Sequence, residues 1–376
     1  MKTITKDYSK IAFFTDIHFG KSKDSVLKLE TCEKFINRFC DELKSNSVDA
    51  VIFAGDWFDN RNSISVVTMN YAYTCLKKLA EVCPIYMIVG NHDSSLKTGL
   101  GLNSLRQFND IENVEIVQDN LILEAGKDCR ILLCPWDKYF DLSDEMRLQR
   151  SVDILTGHFE FNGAALLNSV FDKSSFGLGD LAKMSPLVFS GHFHIHKEYA
   201  TDNGKIIVIG SPLELEWGDI DNQKGYYLLD CRSKSYSFVP NTMSPIHVKL
   251  YLSRMKTCPD YLASEKITGN YVKLLIDEKF DYEDLTKAIE KINALNPLRA
   301  CFIEYLYTMS FDSPITDPEN LETIATTVEN LEMGIFEYVK KYIKCMDESF
   351  FEESSKERII ALAETYFTEV EKRMKE

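Results

Sequence analysis

Residues 84–95 read PIYMIVGNHDSS, an apolar strand-like run that stops abruptly on Asn91, His92 and Asp93. Any turn would end such a run, but these three side chains can also hold a metal ion. Four other apolar runs end in the same way. IAFFT (11–15) is followed by Asp16-Ile17-His18, and DAVIFA (49–54) by Gly55-Asp56-Trp57-Phe58-Asp59. VDILT (152–156) is followed by Gly157-His158, and LVFS (187–190) by Gly191-His192-Phe193-His194. Several of these runs are apolar on both faces, as strands buried between layers are. Helical patterns at 25–44 and 65–82 alternate with the first three, which predicts βαβ units and a parallel sheet. In such sheets functional groups gather beyond the carboxyl ends of the strands, so endings far apart in sequence can meet. Gly55, Gly90, Gly157 and Gly191 stand just before the polar groups, where the backbone must turn sharply or pass close to a ligand.

The rest of the chain sets the bounds. At 376 residues it exceeds what one core usually organises, and two or three domains are expected. No apolar run reaches the ~18 residues of a membrane span, and the start MKTITKDYSKIAFF has no signal-peptide pattern. Ten cysteines are scattered without a C-x-x-C pair, which suits reduced thiols in a cytoplasmic protein. The net charge of −15 argues against broad attraction to nucleic acid and leaves room for a local basic groove. Sixteen acidic and eight basic residues lie from Phe311 onward, so more than half of that charge sits in the tail.

The motifs DIH, GDWFD, GNHD, GH and GHFH, in this order over roughly residues 10–240, resemble the calcineurin-like metallophosphoesterase superfamily. The resemblance implies an α/β fold, a two-sheet β-sandwich flanked by helices, with a two-metal site at one edge. It implies that Asp16, His18, Asp56 and His194 hold one ion while Asp56, Asn91, His158 and His192 hold the other, Asp56 bridging. Hard carboxylate and imidazole donors suit Mn²⁺, Fe or Zn²⁺, and the lack of thiolates disfavours a structural zinc; the resemblance makes Mn²⁺ the expected ion, with Mg²⁺, Fe or Zn²⁺ as alternatives. Two ions ~3.5–4 Å apart can clamp a phosphodiester for in-line attack. Two aspartates, a hydroxide and the diester then balance a charge of about +4, which neutral Asn91 does not disturb. In the family His92 serves as general acid or transition-state stabiliser, and Asp59 orients it through its carboxylate. Asp93 buttresses its loop, and His196 is read as a surface or phosphate contact. Lys21, Lys23, Arg61 and Lys97 lie near these loops.

Beyond residue 240 the pattern changes. VPNTMSPIHVKLYL carries two prolines and a turn-rich break and then an alternating strand, and NYVKLLIDE (270–278) and ACFIEYLYT (300–308) read as two more strands. DYEDLTKAIEKINALN reads as a helix capped by Asp281, with Leu285, Ala288, Ile289 and Ile292 on one face. DSPITDPENLETIATTVENLEMGIFEYVKKYI, with Asp317 as cap and Pro318 at its start, and SSKERIIALAETYFTEVEKRMK predict two terminal amphipathic helices. The layout is a phosphoesterase domain at 1–240, a small α/β domain at 241–311, to which the resemblance that follows gives the expected role of a capping, DNA-contacting domain, and a helical segment at 312–376. This layout resembles the SbcD-type nuclease subunits of double-strand-break repair, and GHFEFNG and SGHFH resemble the recombination endonuclease subunit of tailed phages. That resemblance implies a Mn²⁺-dependent exonuclease on double-stranded DNA ends and an endonuclease on single strands or hairpins. It also implies an SMC-like ATPase partner docked on residues 312–376, and a homodimer formed through segments 25–44 and 65–82. The chain would work in the cytoplasm, that of the host if phage-encoded. It has no G-x-x-x-x-G-K-[ST] loop, so ATP dependence would arrive in trans. Two alternatives are a free-standing metallophosphatase or phosphodiesterase, and a non-catalytic scaffold that clamps DNA for the ATPase.

Overall fold

In the computed structural model the described residues are 1–95, 102–136, 138, 152–162, 165–166, 169–170, 177–258, 261–262, 264–278 and 282–306, with 358, 360, 361 and 364 beyond them. The first elements are β1 (Lys2–Lys6), β2 (Lys10–Phe14), α1 (Val26–Ser45), β3 (Ala50–Phe53), α2 (Val66–Ala80), β4 (Ile85–Ile88) and β5 (Val114–Val117). There follow β6 (Leu121–Ala125), β7 (Cys129–Cys134), β8 (Ile154–His158), β9 (Ala165–Leu166), β10 (Ser169–Val170), α3 (Leu178–Met184) and β11 (Leu187–Gly191). Next come β12 (Lys197–Thr201), β13 (Gly204–Val208), β14 (Gly225–Asp230) and β15 (Tyr236–Pro240). The last are β16 (His247–Tyr251), β17 (Tyr271–Ile276), α4 (Tyr282–Ala294) and β18 (Phe302–Tyr305).

Two sheets form the sandwich. One runs β15-β14-β2-β3-β4-β5, with β2 to β5 parallel and α1 and α2 as crossovers. The other runs β1-β6-β7-β8-β11-β13-β12, with β7, β8, β11 and β13 parallel. Alternation along each strand decides which layer a side chain enters. Ile11, Phe13, Ile52 and Ile88 turn inward to meet Ile131, Leu133, Ile154 and Phe189 of the other sheet. Phe13 stacks on Phe189 with centroids 4.5 Å apart. Phe14, Phe53 and Met87 face outward and are covered by Phe35, Ile36, Phe39 and Leu43 of α1 and Leu76 and Leu79 of α2. The spacing of these apolar residues is that of a single helical face. Ser65 caps α2, its side chain accepting from Thr68 N at 3.2 Å. On the far side Leu181, Ala182 and Met184 of α3 cover Leu155, Val188 and Val208.

The strands predicted at 11–15, 49–54, 85–89 and 187–190 lie within a residue of the observed ones, and ACFIEYLYT yields the shorter strand Phe302–Tyr305, while VDILT is shifted by two residues. Its strand runs from Ile154 to His158, so His158 is the last residue of the strand and not the residue after it. The sequence reading passed over β1, β5, β6, β9, β10, β12 and β15. β1, β12 and β15 lack inward residues buried enough to give a strong alternation. β16, β17 and β18 form a separate parallel sheet, with Leu285, Ala288 and Ile292 of α4 packed on it. His247 meets Glu214 Oε2 at 3.0 Å, and Trp217 meets Phe302 with centroids 5.7 Å apart. Met1–Tyr307 packs as one compact unit, and Thr308–Glu376 makes up a second. In the second, Arg358, Ile360, Ala361 and Glu364 are helical. The Asp281 cap, Lys97, Gly163 and the rest of segment 312–376 lie outside the described residues. The nine described cysteines are free thiols, seven of them buried.

Candidate metal centre

The two sheets align their carboxyl edges, and the site lies across both. Asp16 and His18 follow β2, Asp56 follows β3, and Asn91 and His92 follow β4. From the second sheet come His158, at the end of β8, and His192 and His194, just past β11. All seven proposed ligands are thus brought together. Backbone bonds lock the loops: Asp16 N donates to Gly55 O at 2.9 Å and His18 N to Asp56 O at 3.3 Å. His192 N donates to Asp16 Oδ2 at 3.1 Å, which ties one sheet edge to the other. The backbone is strained here. Asp16, His18, Asp56 and His192 take φ of 53°, 51°, 62° and 86°, a left-handed region that non-glycine residues enter at a penalty. Gly55, at φ 105°, could carry no side chain, because a Cβ would lie 2.3 Å from His158 Nδ1. At Gly191 the limit is close approach, with Ala54 O and Thr15 Oγ1 both 2.4 Å from where a Cβ would sit.

Two donor clusters result. In the first, His18 Nε2 and His194 Nε2 stand 3.0 Å apart, with Asp16 Oδ1 at 3.7 and 3.8 Å from them. In the second, His158 Nε2 is 2.8 Å from Asn91 Oδ1 and 3.2 Å from Asp56 Oδ2, and His192 Nδ1 is 3.1 Å from Asn91 Oδ1. Asp56 Oδ2 also lies 3.7 Å from His18 Nε2, between the clusters. Asp16, His18, Asp56 and His158 are all buried. Asp16 Oδ1 is shielded from solvent without a hydrogen-bond partner among the described residues. Such an orphan in a dry site is costly unless a cation meets it.

These residues fit divalent ions. Two nitrogens bound to one ion at ~2.1 Å and at right angles stand ~3.0 Å apart. His158 Nδ1 donates to Ala54 O at 2.8 Å, so its Nε2 lone pair faces the Asn91 and Asp56 oxygens, and only a proton or a cation relieves that crowding. Burial works against a charged His158, but the Asp56 carboxylate outweighs it and lifts the pKa to about 9. His18 is treated likewise: burial opposes its charge, while Asp16, Asp59 and Asp56 push it up to about 10. Burial pulls His192 and His194 down to about 4, leaving them neutral. Against its own burial, the charge of His158 holds Asp56 below the ordinary carboxylate range. Protons thus occupy the charge balance that metal ions would take over on binding.

His18, Asp59 and His92 form a third cluster of neighbouring donor atoms. The expected orientation of His92 by the Asp59 carboxylate needs correcting, because His92 Nδ1 meets the Asp59 backbone carbonyl, at 2.5 Å. The Asp59 carboxylate instead lies 3.4 Å from His18 Nδ1 and 3.3 Å from Lys21 Nζ. Asp93 is a buttress: its buried carboxylate accepts the backbone N–H groups of Asp56, Trp57, Phe58 and Gly90, joining two ligand loops. His196, read as a surface or phosphate contact, is half-buried and engaged within the fold. It stacks on Phe238 at 4.0 Å and meets Tyr227 Oη at 2.6 Å. Arg61 keeps a buried Nη1 without a partner among the described residues. Lys224 went unread in the sequence. Its buried ammonium donates to His194 O at 2.7 Å and pairs with Asp219 at 2.9 Å, holding the loop that carries His192 and His194. A lysine in the polar run DNQKG gives no pattern that could have marked it.

Known proteins share sequence with this chain. Exonuclease subunit 1 of Enterobacteria phage T4 is 28% identical over 238 residues, covering 62% of this chain and 68% of that protein. The SbcD component of the SbcCD nuclease of Staphylococcus epidermidis is 24% identical over 276 residues, covering 61% and 69%. A solved archaeal phosphodiesterase aligns at 16% identity with a TM-score of 0.34, over 62% of this chain and 99% of that one. The family model for calcineurin-like phosphoesterase matches residues 9–196, half of the chain and the stretch that holds every proposed ligand, and the chain belongs to that family.

Proposed function

We propose that this chain is the Mn²⁺-dependent nuclease subunit of an SbcCD-like complex, acting on double-stranded ends as an exonuclease and on single strands and hairpins as an endonuclease. The observation that carries the chemistry is the unpartnered, buried Asp16 Oδ1 facing two imidazole nitrogens, with Asp56 Oδ2 between two donor clusters. Asp16, His18, Asp56 and His194 would hold one ion, and Asp56, Asn91, His158 and His192 the other. When bound, such ions polarise a phosphodiester and make water a nucleophile at neutral pH. The chain's own groups do the rest. His92 has Nδ1 committed to the Asp59 carbonyl, so Nε2 is the atom left to give a proton to the leaving oxygen. Asp59 serves by its carbonyl toward His92 and by its carboxylate toward His18 and Lys21. Asp93 and Lys224 keep the ligand loops at fixed separation.

Similarity to a phage exonuclease subunit and to a nuclease subunit of a complex supports DNA as substrate and an ATPase as partner. Residues 312–376 are assigned to docking on that SMC-like ATPase. Homodimerisation is assigned to the α1 and α2 face, where Val66 and Tyr73 are 87% and 43% exposed. No described helix is long and apolar enough to cross a membrane, and the cytoplasm, of the host if phage-encoded, is the proposed site of action.

The test is co-purification with an SMC-like ATPase, then a Mn²⁺ and ATP assay on blunt linear duplex, with a chain lacking 312–376 in parallel. Partner binding and ATP-dependent cleavage should both disappear on truncation. Efficient hydrolysis of p-nitrophenyl phosphate with no cleavage of DNA would instead identify a free-standing phosphatase.

A further inference from the structure

Each of the two aspartates of the donor clusters has one oxygen committed to the protein and one turned to the cluster. Asp16 Oδ2 accepts the Thr15 hydroxyl at 2.6 Å and the His192 amide at 3.1 Å. Its Oδ1 is the buried atom with no hydrogen-bond partner among the described residues. In Asp56 the oxygens exchange parts: Oδ1 accepts the His92 amide at 2.8 Å, while Oδ2 stands 3.2 Å from His158 Nε2 and 3.7 Å from His18 Nε2. A free carboxylate can grip a cation through one oxygen or through both. Aspartate χ2 is a broad, roughly two-fold torsion, so the side chain itself does not decide which oxygen faces the cluster. The surrounding donors decide it. Two of them, the His192 and His92 N–H groups, are backbone, which almost any residue would supply. The third is the side chain of Thr15.

Thr15 follows β2 directly and is fully buried. Its hydroxyl has one proton to give and two acceptors within reach, Asp16 Oδ2 at 2.6 Å and Gly55 O at 3.2 Å. Gly55 O already receives Asp16 N at 2.9 Å. The shorter contact, to the charged oxygen, takes the proton, and it has the ~2.5–2.7 Å length of charge-assisted O–H···O⁻ bonds. A β-branched side chain is stiff at χ1, and the space beside this hydroxyl is closed by Gly191, where a Cβ would lie 2.4 Å from Thr15 Oγ1. The hydroxyl therefore holds one place, and through it the Asp16 carboxylate holds one rotation.

We infer that Thr15 is a positioning residue of the metal centre: by binding Asp16 Oδ2 it leaves Asp16 to offer the first ion a single oxygen, Oδ1, at a fixed place. The inference rests on the reading of the two clusters as a metal centre, and it adds a residue outside the ligand motifs. Thr15 lies too far inside the fold to meet a substrate and acts only through Asp16. Groups that orient a ligand from behind typically govern metal affinity by ~10–100-fold.

The experiment titrates Mn²⁺ into the metal-free full chain, with heat read by calorimetry and unbound Mn²⁺ by electron paramagnetic resonance. Wild type should bind two ions, and Asp16→Ala marks which of them belongs to the Asp16 cluster. Thr15→Val should weaken that ion roughly 10–100-fold and leave the other as in wild type. Thr15→Ser, which keeps the hydroxyl, should bind both as wild type does, an outcome that loss of packing alone would not give. Melting in EDTA checks the fold, and Thr15→Ala is read in the same way should Thr15→Val not fold. Unchanged binding in Thr15→Val, an equal loss at both ions, or the same loss in Thr15→Ser would overturn the inference. If wild type binds two ions and Thr15→Val does so equally well, the role of Thr15 falls and the metal centre stands. If wild type binds no Mn²⁺, both fall.

Discussion

His92 and Asp59 show how much hangs on a single atom. Because the Asp59 carbonyl fixes His92, Asp59→Asn keeps that bond, whereas His92→Ala removes the group itself. We expect His92→Ala to slow turnover ~10²–10⁴-fold with Mn²⁺ affinity retained. Asp59→Asn should cost less in single-turnover rate and more in metal affinity, through His18. Calorimetric titration beside rapid-quench kinetics checks both, and equal rate losses in the two variants would return Asp59 to a carboxylate role. Gly55 offers a second test. With φ at 105° and His158 Nδ1 in the way, Gly55→Ala should destabilise the fold by ~1–3 kcal/mol, read from urea midpoints. The need for glycine before Asp56 was visible in the sequence. The left-handed backbone at Asp16, His18, Asp56 and His192 was not, since no propensity marks those types at those sites.

Elements fix the distances that the residues need. The loop after β11 is held by Lys224, whose partner Asp219 also accepts the Leu215 and Glu216 amides at 2.8 and 3.0 Å. Burial alone would raise the Asp219 carboxyl, but the Lys224 ammonium and these amides hold it below the usual carboxylate range. A carboxyl depressed in the folded state contributes stability above its unfolded pKa, and that contribution is lost as pH falls through the folded value. Asp219→Asn should therefore melt lower at pH 7, by ~3–5 kcal/mol for a stranded buried charge, yet lose less on going to acid than wild type does. Calorimetry at both pH values would show it, and parallel pH curves would refute it. Helix α1 is simpler. Phe39 is fully buried against Phe14 and Tyr226, at 5.0 and 4.7 Å, and Phe39→Ala should cost ~3–5 kcal/mol by chemical denaturation. Its apolar spacing made α1 legible in advance, while β1, β12 and β15, half exposed, gave no such signal.

The metal centre joins the two sheets, so occupancy should stabilise the fold they share. Mn²⁺ at ~100 times its dissociation constant adds ~2.7 kcal/mol per site if the unfolded chain does not bind. A melting temperature that is the same in Mn²⁺ and EDTA would mean the clusters do not take the ion. The chain order of the polar groups, their strand-end positions and their chemistry were fixed locally, because a strand's apolar run and the residue that ends it are neighbours in sequence. Hence the polar side chains proposed as ligands and the flanking glycines could be read directly. Which edge of which sheet each ending reaches was not local: His158, His192 and His194 come from the second sheet, and its alignment with the first depends on packing such as Phe13 on Phe189. The buried Lys224 and the switch from carboxylate to carbonyl at Asp59 likewise arise between segments tens of residues apart. Pairings of that kind are set by the closing of the sandwich and the seating of the small sheet, since no short-range preference along the chain encodes a distance between two sheets.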